Sequence, residues 1–227
     1  MNRTMGVLNM HLRDKFSWLI LPWLILLSSF LVNVAISYLI DEPLYTGGIF
    51  SIIIYNLVLG ILSISQTFPF ALGLSVRRKD YFAGTVIAAL AVSAGIAILL
   101  TLLSLIEFEW TGGWGSDLYF FHLPYVNDGP ILRSLWVFFA ALIHVYFLGF
   151  VICAVHRRFG RMGMYVLFPI VFLVLSVGLL LTTYMDWWDE IHRFIGDPSA
   201  VEVASWLTLP TAVYAIAAYW LLRRSTV

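Results

Sequence analysis

The stretch Tyr81–Ile106, YFAGTVIAALAVSAGIAILLTLLSLI, decides the fold of this 227-residue chain. None of its residues is Asp, Glu, Lys or Arg. As one helix, at about 1.5 Å per residue, it is long enough to cross a hydrocarbon layer about 30 Å thick. Arg77–Lys79 precede it, and Glu107 and Glu109 follow it. The stretch therefore predicts a transmembrane helix with a basic end and an acidic end.

Five further apolar runs have the same character. Hydrophobic residues make up 61% of the chain and charged residues only 11%, which is too little polar surface to cover a water-soluble domain. Lipid admits only helices or closed barrels, and these runs are too long for barrel strands. The sequence thus predicts an all-α integral membrane protein with six transmembrane helices. The predicted spans are Phe16–Ile40, Gly48–Ser75, Tyr81–Ile106, Ile131–Val155, Met162–Tyr184 and Val203–Leu222.

The distribution of charge predicts the orientation of these spans. Eleven of the thirteen basic residues lie at the termini and in two connections, whereas eleven of the thirteen acidic residues lie in the other three connections. Because Lys and Arg are retained on the cytoplasmic side, both termini are predicted to be cytoplasmic. The basic set is Arg3, Arg13, Lys15, Arg77, Arg78, Lys79, Arg157, Arg158, Arg161, Arg223 and Arg224, and the acidic set is Asp41, Glu42, Glu107, Glu109, Asp117, Asp128, Asp186, Asp189, Glu190, Asp197 and Glu202.

Two short amphipathic segments accompany the spans. Within residues 1–15, apolar side chains recur at helical spacing and continue to Phe16, which predicts an N-terminal helix lying in the membrane interface. A similar pattern over residues 187–195 predicts a short outer interfacial helix before the last span. We therefore expect one domain, 1–227, made of this N-terminal helix and a six-span bundle over residues 16–222.

Three local features refine the bundle. Pro69 predicts a break in the second span, with Gln66 and Thr67 helping to satisfy the freed backbone groups. Small residues at steps of four, three and four in the third span predict close packing against another helix. These are Gly84, Ala88, Ala91 and Gly95. The outer loop 107–130, rich in aromatic residues and glycine, suits either a segment at the headgroup level or a mobile lid.

The cytoplasmic stretch Phe68–Gly84, FPFALGLSVRRKDYFAG, carries the strongest functional signal. Its basic residues would serve any membrane protein as a stop-transfer signal. The flanking residues indicate more, since Ser75 can act as the N-cap of a short helix that carries Arg77, Arg78 and Asp80. A short, charged and aromatic helix at the membrane face is suited to docking into a groove on a cytoplasmic partner.

This stretch resembles the segment after the second span in bacterial ABC-transporter permeases of the type-2 exporter class. The layout of the whole chain is similar to that class, although the outer loop is longer. The resemblance implies a multi-pass protein of the bacterial plasma membrane whose loop near 74–81 contacts a separate ATPase subunit. The implied contact residues are Leu74, Ser75, Arg77, Arg78, Lys79, Asp80 and Tyr81, with Arg157, Arg158 and Arg161 as a second contact. It also implies a second permease subunit, identical or homologous.

Motifs for chemistry on this chain are not found in the sequence. Neither lysine follows a G-x-x-x-x-G pattern, so ATP and Mg would be bound by the partner ATPase. The five histidines lack ligand spacing, which predicts no metal site, and no catalytic or cofactor-binding residues are expected. The basic clusters lie beside the membrane, where they attract anionic lipid, and give no support for nucleic-acid binding.

Three polar residues inside the spans have two interpretations. Asn56, Gln66 and His144 are either helix-packing residues or part of a substrate pathway. The apolar and aromatic spans favour export of a hydrophobic or amphipathic cargo, such as a drug, a lipid or an antimicrobial peptide. The alternative is a self-contained membrane enzyme, or an accessory immunity or sensor protein, without an ATPase partner.

Overall fold

Helices form nearly all of the fold. The computed structural model describes residues 3–127 and 129–225. Asp128, one of the predicted outer acids, lies outside the described residues, as do the side chains of His192, Phe194 and Ile195. The helices are α1 Arg3–Arg13, α2 Phe16–Ser37, α3 Phe50–Gly73, α4 Arg78–Thr111, α5 Ile131–Tyr184, α6 Trp188–Ile195, α7 Ala200–Trp206 and α8 Thr208–Arg223, and the strands are β1 Leu44–Tyr45 and β2 Leu118–Tyr119.

Five helical stretches in the described residues are long and apolar enough to cross a membrane: α2, α3, α4, α5 and the consecutive pair α7–α8. The N-terminal helix predicted over residues 1–15 is α1, and the helix predicted over residues 187–195 is α6. Within the 54 residues of α5, Gly160 leaves helical geometry at φ 64° and ψ −159°. This break divides α5 into a first arm, 131–159, and a second arm, 161–184. The loop predicted at 156–161 is therefore a one-residue kink.

The buried face of α4 is rich in small and hydroxyl-bearing residues and also holds Val92, Ile96 and Leu100, while its other large aliphatic side chains are exposed or half-buried. The small residues suit a helix in lipid, because lipid tails are as apolar as leucine and close backbone approach becomes the main source of packing. Of the predicted small-residue stripe, Gly84 and Ala88 are buried, whereas Ala91 and Gly95 are exposed. Buried positions include Thr85, Ala89, Ser93, Ala97, Thr101 and Ser104.

The closest helix crossing joins α3 to the first arm of α5. A Cβ on Gly60 would overlap the backbone carbonyl of Tyr146, and a Cβ on Gly149 would overlap that of Leu57. Near the same crossing, Asn56 Nδ2 donates a hydrogen bond to the carbonyl of Leu142 at 2.9 Å. We call this line of contacts the α3–α5 seam. It depends on glycine at both positions, neither of which belongs to the small-residue stripe predicted in the third span.

The break predicted at Pro69 is a π-helical turn at Ser63–Thr67 in α3. Proline has no N–H to donate, so backbone groups in the preceding turn need other partners. The carbonyl of Ser63 accepts hydrogen bonds from the hydroxyls of Thr67 and Tyr81. Thr67 thus bonds within the turn before Pro69, but to the carbonyl of Ser63 and not to that of Ser65, the group four residues before the proline. Gln66 lies on the exposed side of the helix.

At the opposite end of the bundle, a buried carboxylate organises residues 107–127, which we call the cap. Glu107 is fully buried and accepts hydrogen bonds from the indole N–H of Trp114 and the backbone N–H groups of Phe120, Phe121 and His122, at 2.5–3.1 Å. The two strands pair in parallel, with Leu44 opposite Leu118. The cap is therefore tied to α4 and to β1 through specific bonds.

The α3–α5 seam generates a stability prediction. Gly149→Ala places a methyl group against a backbone carbonyl, so we expect a loss of about 1–3 kcal/mol in unfolding free energy. Gly95→Ala is the matched control in a neighbouring helix, because no atom lies within 4 Å of its added Cβ. Thermal unfolding of the detergent-solubilised variants measures the difference. Equal midpoints for the two variants would show that the helices do not cross this closely.

The cap generates a second prediction from two nearby glutamates. Glu107→Gln turns an amide NH₂ toward N–H donors and removes the charge that strengthens these bonds, so we expect a loss of about 2 kcal/mol. Glu109→Gln should leave stability unchanged, because Glu109 is exposed. Chemical or thermal unfolding, followed by tryptophan fluorescence, tests both. A Glu107→Gln variant as stable as wild type would contradict the proposed role of the carboxylate.

Candidate functional site

The residues predicted to contact a partner lie at the end of the bundle where α1, the beginning of α4, the Gly160 break and the end of α8 meet. We call it the basic end. The guanidinium of Arg78 donates to the carbonyl of Arg223 at 3.0 Å, and that of Arg158 donates to the carbonyl of Arg224. Both arginines thus stabilise the C-terminus of α8, where backbone carbonyls lack helical partners.

α1 lies along the beginning of α4. Gly84 permits this contact, since a Cβ there would lie 2.6 Å from the Cβ of Val7. Val7 and His11 are buried, whereas Met5 and Leu12 from the predicted apolar stripe are exposed. One face of α1 therefore packs on protein, and its apolar stripe remains available to lipid, as expected for a helix at the membrane interface.

His11 is a buried residue that sequence reasoning did not recognise. Its Nε2 lies 2.9 Å from the hydroxyl of Thr85, and its ring lies 4.8 Å from that of Trp18. Burial lowers the pKa of His11 to about 4, although the nearby carboxylate of Asp14 opposes the shift. The spacing of Val7 and His11, four residues apart, was the available signal that these two share one face.

The turn between α3 and α4 differs from the prediction. Ser75 has a left-handed backbone, with φ 59°, and its N–H donates to the carbonyl of Leu72 at 2.9 Å. The N–H of Val76 donates to the carbonyl of Ala71 at 3.1 Å, which completes a Schellman motif that ends α3. The prediction that Ser75 is an N-cap is wrong, because it closes the preceding helix.

The short helix predicted after Ser75 is also absent from this described segment. α4 begins at Arg78, with Arg77 as its N-cap residue, and no side chain caps it. The predicted helix is thus the first turn of the long helix α4. A turn of this kind couples the end of α3 directly to α4.

The predicted contact residues separate into two groups. Leu74, Ser75, Arg77 and Lys79 are exposed, and Asp80 is half-buried. Tyr81 is fully buried, with its ring against Phe68 and its hydroxyl bonded inside the bundle. Tyr81 is therefore turned away from the surface where a partner would bind, and the guanidinium of Arg78 is bonded to the backbone carbonyl of Arg223.

The second predicted contact shows a similar division. Arg157 lies over the ring of Phe68, 5.7 Å from its centre, and Arg158 binds the end of α8. Arg161, beyond the Gly160 break, is exposed. Of these three arginines, Arg161 has the position expected of a residue that meets a partner.

A groove of about 750 Å³ lies between α1 and the turn that follows α3. Arg3 and Arg13 line it on one face of α1, about 15 Å apart along the helix. The other wall includes Phe70, Leu74 and Val76. An apolar floor between two cations suits an amphipathic segment that carries acidic residues.

The predicted pathway residues do not meet at one site. Asn56 belongs to the α3–α5 seam and also reaches the hydroxyl of Ser93 at 3.4 Å. The Nδ1 atom of His144 lies 3.0 Å from the hydroxyl of Thr211 and thereby connects α5 with α8. Asn56 and His144 thus make the bonds between helices that the packing interpretation expects, while Gln66 is exposed.

Comparisons of the chain with protein-family models, curated proteins and solved structures found no match. Among the described residues, no group of three or more His, Cys, Asp or Glu is placed to hold a metal ion. The functional interpretation therefore depends on the exposed basic residues and the groove at the basic end.

The burial of His11 predicts that acid weakens the fold. Its pKa is about 6.5 in the unfolded chain and about 4 in the folded chain, so the unfolded chain binds the extra proton between these values. Stability should therefore fall as the pH falls from 6.5 toward 4, by up to about 3 kcal/mol. His11→Gln should remove this component of the pH dependence, whereas His156→Gln, at an exposed position, should retain it. Thermal unfolding across this pH range measures it, and identical profiles for wild type and His11→Gln would refute the assignment.

Proposed function

We propose that this chain is the membrane-spanning permease subunit of an ATP-binding-cassette exporter, driven by a separate ATPase subunit that docks at the basic end. The groove between α1 and the turn after α3 is the observation that carries the proposal. It presents a concave apolar surface with arginines at both ends, beside the exposed side chains of Leu74, Arg77 and Lys79. Such a surface is suited to a partner that pushes on the ends of two helices at once.

The proposed topology has six spans with both termini in the cytoplasm. The two arms of α5 are each longer than the roughly 20 residues that a crossing requires, so α5 supplies two spans and Gly160 lies between them. With α2, α3, α4 and α7–α8, this makes six. The positive-inside rule supports placing the basic end in the cytoplasm. The proposed membrane is the bacterial plasma membrane, as the resemblance to the permease class implies.

The proposed coupling contact contains fewer residues of the loop near 74–81 than the resemblance implies. It consists of Leu74, Ser75, Arg77 and Lys79, extended by Arg3 and Arg13 across the groove, with Arg161 as the second contact. The other predicted arginines contact groups within the chain, beneath this surface. They are Arg78, Arg157 and Arg158. Because α3 and α4 meet at the turn, a force applied there acts on both helices.

A second permease subunit, identical or homologous, completes the proposed assembly. The second arm of α5 contains no buried residue, so within this chain it is free to face lipid or another subunit. The proposed cargo is a hydrophobic or amphipathic molecule such as a drug, lipid or antimicrobial peptide. The chain itself performs no covalent chemistry, and ATP and Mg belong to the ATPase.

Docking of the ATPase is tested by charge reversal. The double variant Arg77→Glu/Lys79→Glu should lose co-purification of an ATP-binding-cassette ATPase from native membranes, because it repels the acidic groups that the proposed contact would meet. Lys15→Glu is the control, an exposed basic residue at the same end that does not line the groove. ATP hydrolysis by the purified complex, measured with and without the cargo, provides the functional readout.

Two results would overturn the proposal. One is retention of the ATPase and of cargo-stimulated hydrolysis by the double variant. The other is purification of the wild-type chain from native membranes in mild detergent without any ATPase. The second result would favour the alternative, a self-contained membrane enzyme or an accessory immunity or sensor protein.

A further inference from the structure

A cavity of about 230 Å³ lies at the opposite end of the bundle, beneath the cap. It opens between the end of α4 and the beginning of α5. Its walls carry Thr101, Ser104, Glu109, His122, Asn127 and Ser134. This concentration of polar side chains is unusual where two membrane helices meet, and it does not take part in the proposed ATPase contact.

The polar groups of the cavity form a connected arrangement. Asn127 Nδ2 donates to the hydroxyl of Ser104 at 2.7 Å, and Nδ1 of His122 lies 3.3 Å from the same oxygen. Asn127 is 6% exposed, and its Oδ1 has no hydrogen-bond partner within the described residues. A buried carbonyl oxygen without a donor costs about 1–3 kcal/mol, so a ligand N–H that reached this atom from the cavity would remove that cost.

The electrostatics of the cavity favour a cation. Glu109 supplies a carboxylate, and the described lining residues include neither lysine nor arginine. Phe108 adds an aromatic face, with its ring stacked on His122 at 4.1 Å between centres. Carboxylates, amide oxygens and aromatic faces are the groups that proteins use to hold ammonium ions. Glu109 is the charged side chain among the described lining residues, and the guanidinium of Arg133 lies outside them, beside Gly129 at the edge of the cavity.

The volume limits the size of the ligand. Pockets for drug-sized molecules span about 300–1,000 Å³, so a cavity of about 230 Å³ admits a headgroup or a small metabolite. We propose that the cavity binds a primary ammonium group on a short polar chain. The N–H groups donate to Asn127 Oδ1 and Glu109, and the hydroxyls of Ser104 and Ser134 meet the rest of the chain. The ammonium belongs either to a free amine or to the headgroup of phosphatidylethanolamine.

Binding is tested with ethanolamine as the probe. The full chain in phosphatidylglycerol nanodiscs should bind ethanolamine saturably in isothermal titration calorimetry, while ethylene glycol, which is neutral and of similar size, should not bind. Glu109→Gln should weaken binding about fivefold to tenfold, because it removes the charge but keeps the shape. Glu190→Gln, another exposed acid outside the cavity, should bind as wild type does.

A second variant keeps the test independent of Glu109. Asn127→Asp places a carboxylate at the buried acceptor and should tighten ethanolamine binding, provided that its thermal unfolding resembles that of wild type. Where this variant does not fold, the Glu109→Gln comparison still decides the outcome. Equal binding of ethylene glycol, or unchanged affinity in Glu109→Gln, would overturn the proposal.

The source of the ammonium is resolved by the lipid. In nanodiscs of phosphatidylethanolamine, a headgroup ligand should raise the unfolding temperature over phosphatidylglycerol nanodiscs and compete with added ethanolamine. A free-amine site should bind ethanolamine equally in both. Both outcomes support the cavity as an ammonium site, and absence of binding in either lipid rejects it. None of these measurements requires the ATPase, so the two proposals fail independently.

Discussion

The α3–α5 seam is the contact on which the remaining structure depends. In lipid, helices gain little from burying leucine against leucine, so their association requires close backbone approach and hydrogen bonds between helices. Gly60 and Gly149 allow that approach, and Asn56 then reaches the backbone of α5 and a hydroxyl on α4. A larger residue at either glycine would separate the helices and leave the amide of Asn56 without its partners.

Two π-helical turns, one near each end of the bundle, join the helices to neighbouring segments. At the basic end, the turn at Ser63–Thr67 offers the carbonyl of Ser63 to Tyr81, which connects α3 to the beginning of α4. At the opposite end, beside the cap, the turn at Ile106–Thr111 belongs to α4 and contains Glu107, which accepts the hydrogen bonds of the cap. In each case a local departure from α-helical geometry accompanies a buried acceptor that fixes the neighbouring segment. Departures of this kind are frequent at functional sites.

The sequence predicts the helices well because charge-free apolar runs leave few structural alternatives in lipid. Phe16, Ile131 and Tyr184 are helix limits in both the prediction and the structure. Which side of each helix is buried could not be predicted, since nearly every position in these runs is apolar. The spacing of apolar residues therefore does not distinguish a face that meets lipid from a face that packs on protein. Tyr81 and Arg78 illustrate this limit, because both follow an exposed turn in sequence and yet turn toward the protein.

The candidate site and the cap were harder to predict for a different reason. Glu107 and Glu109 look alike in sequence, two acids at the end of a span, but only the fold collects four N–H donors around one of them. The groove at the basic end likewise requires α1 to lie on α4, which depends on the absent side chain of Gly84. Features that arise from contacts between distant segments leave little trace in local patterns.

The length of α4 gives the two ends a physical connection. Its 34 residues span about 50 Å, from the turn beside the proposed ATPase contact to Ser104 and Glu109 at the proposed ammonium cavity. If α4 moves as one body, displacement at one end changes the position of the cavity-lining groups at the other. Coupling between two binding sites is reciprocal, and any effect of ATPase docking on ammonium affinity requires an equal effect of the ammonium on docking. Ser93, in the middle of α4, contacts the seam through Asn56, which makes the seam the natural pivot for such a movement.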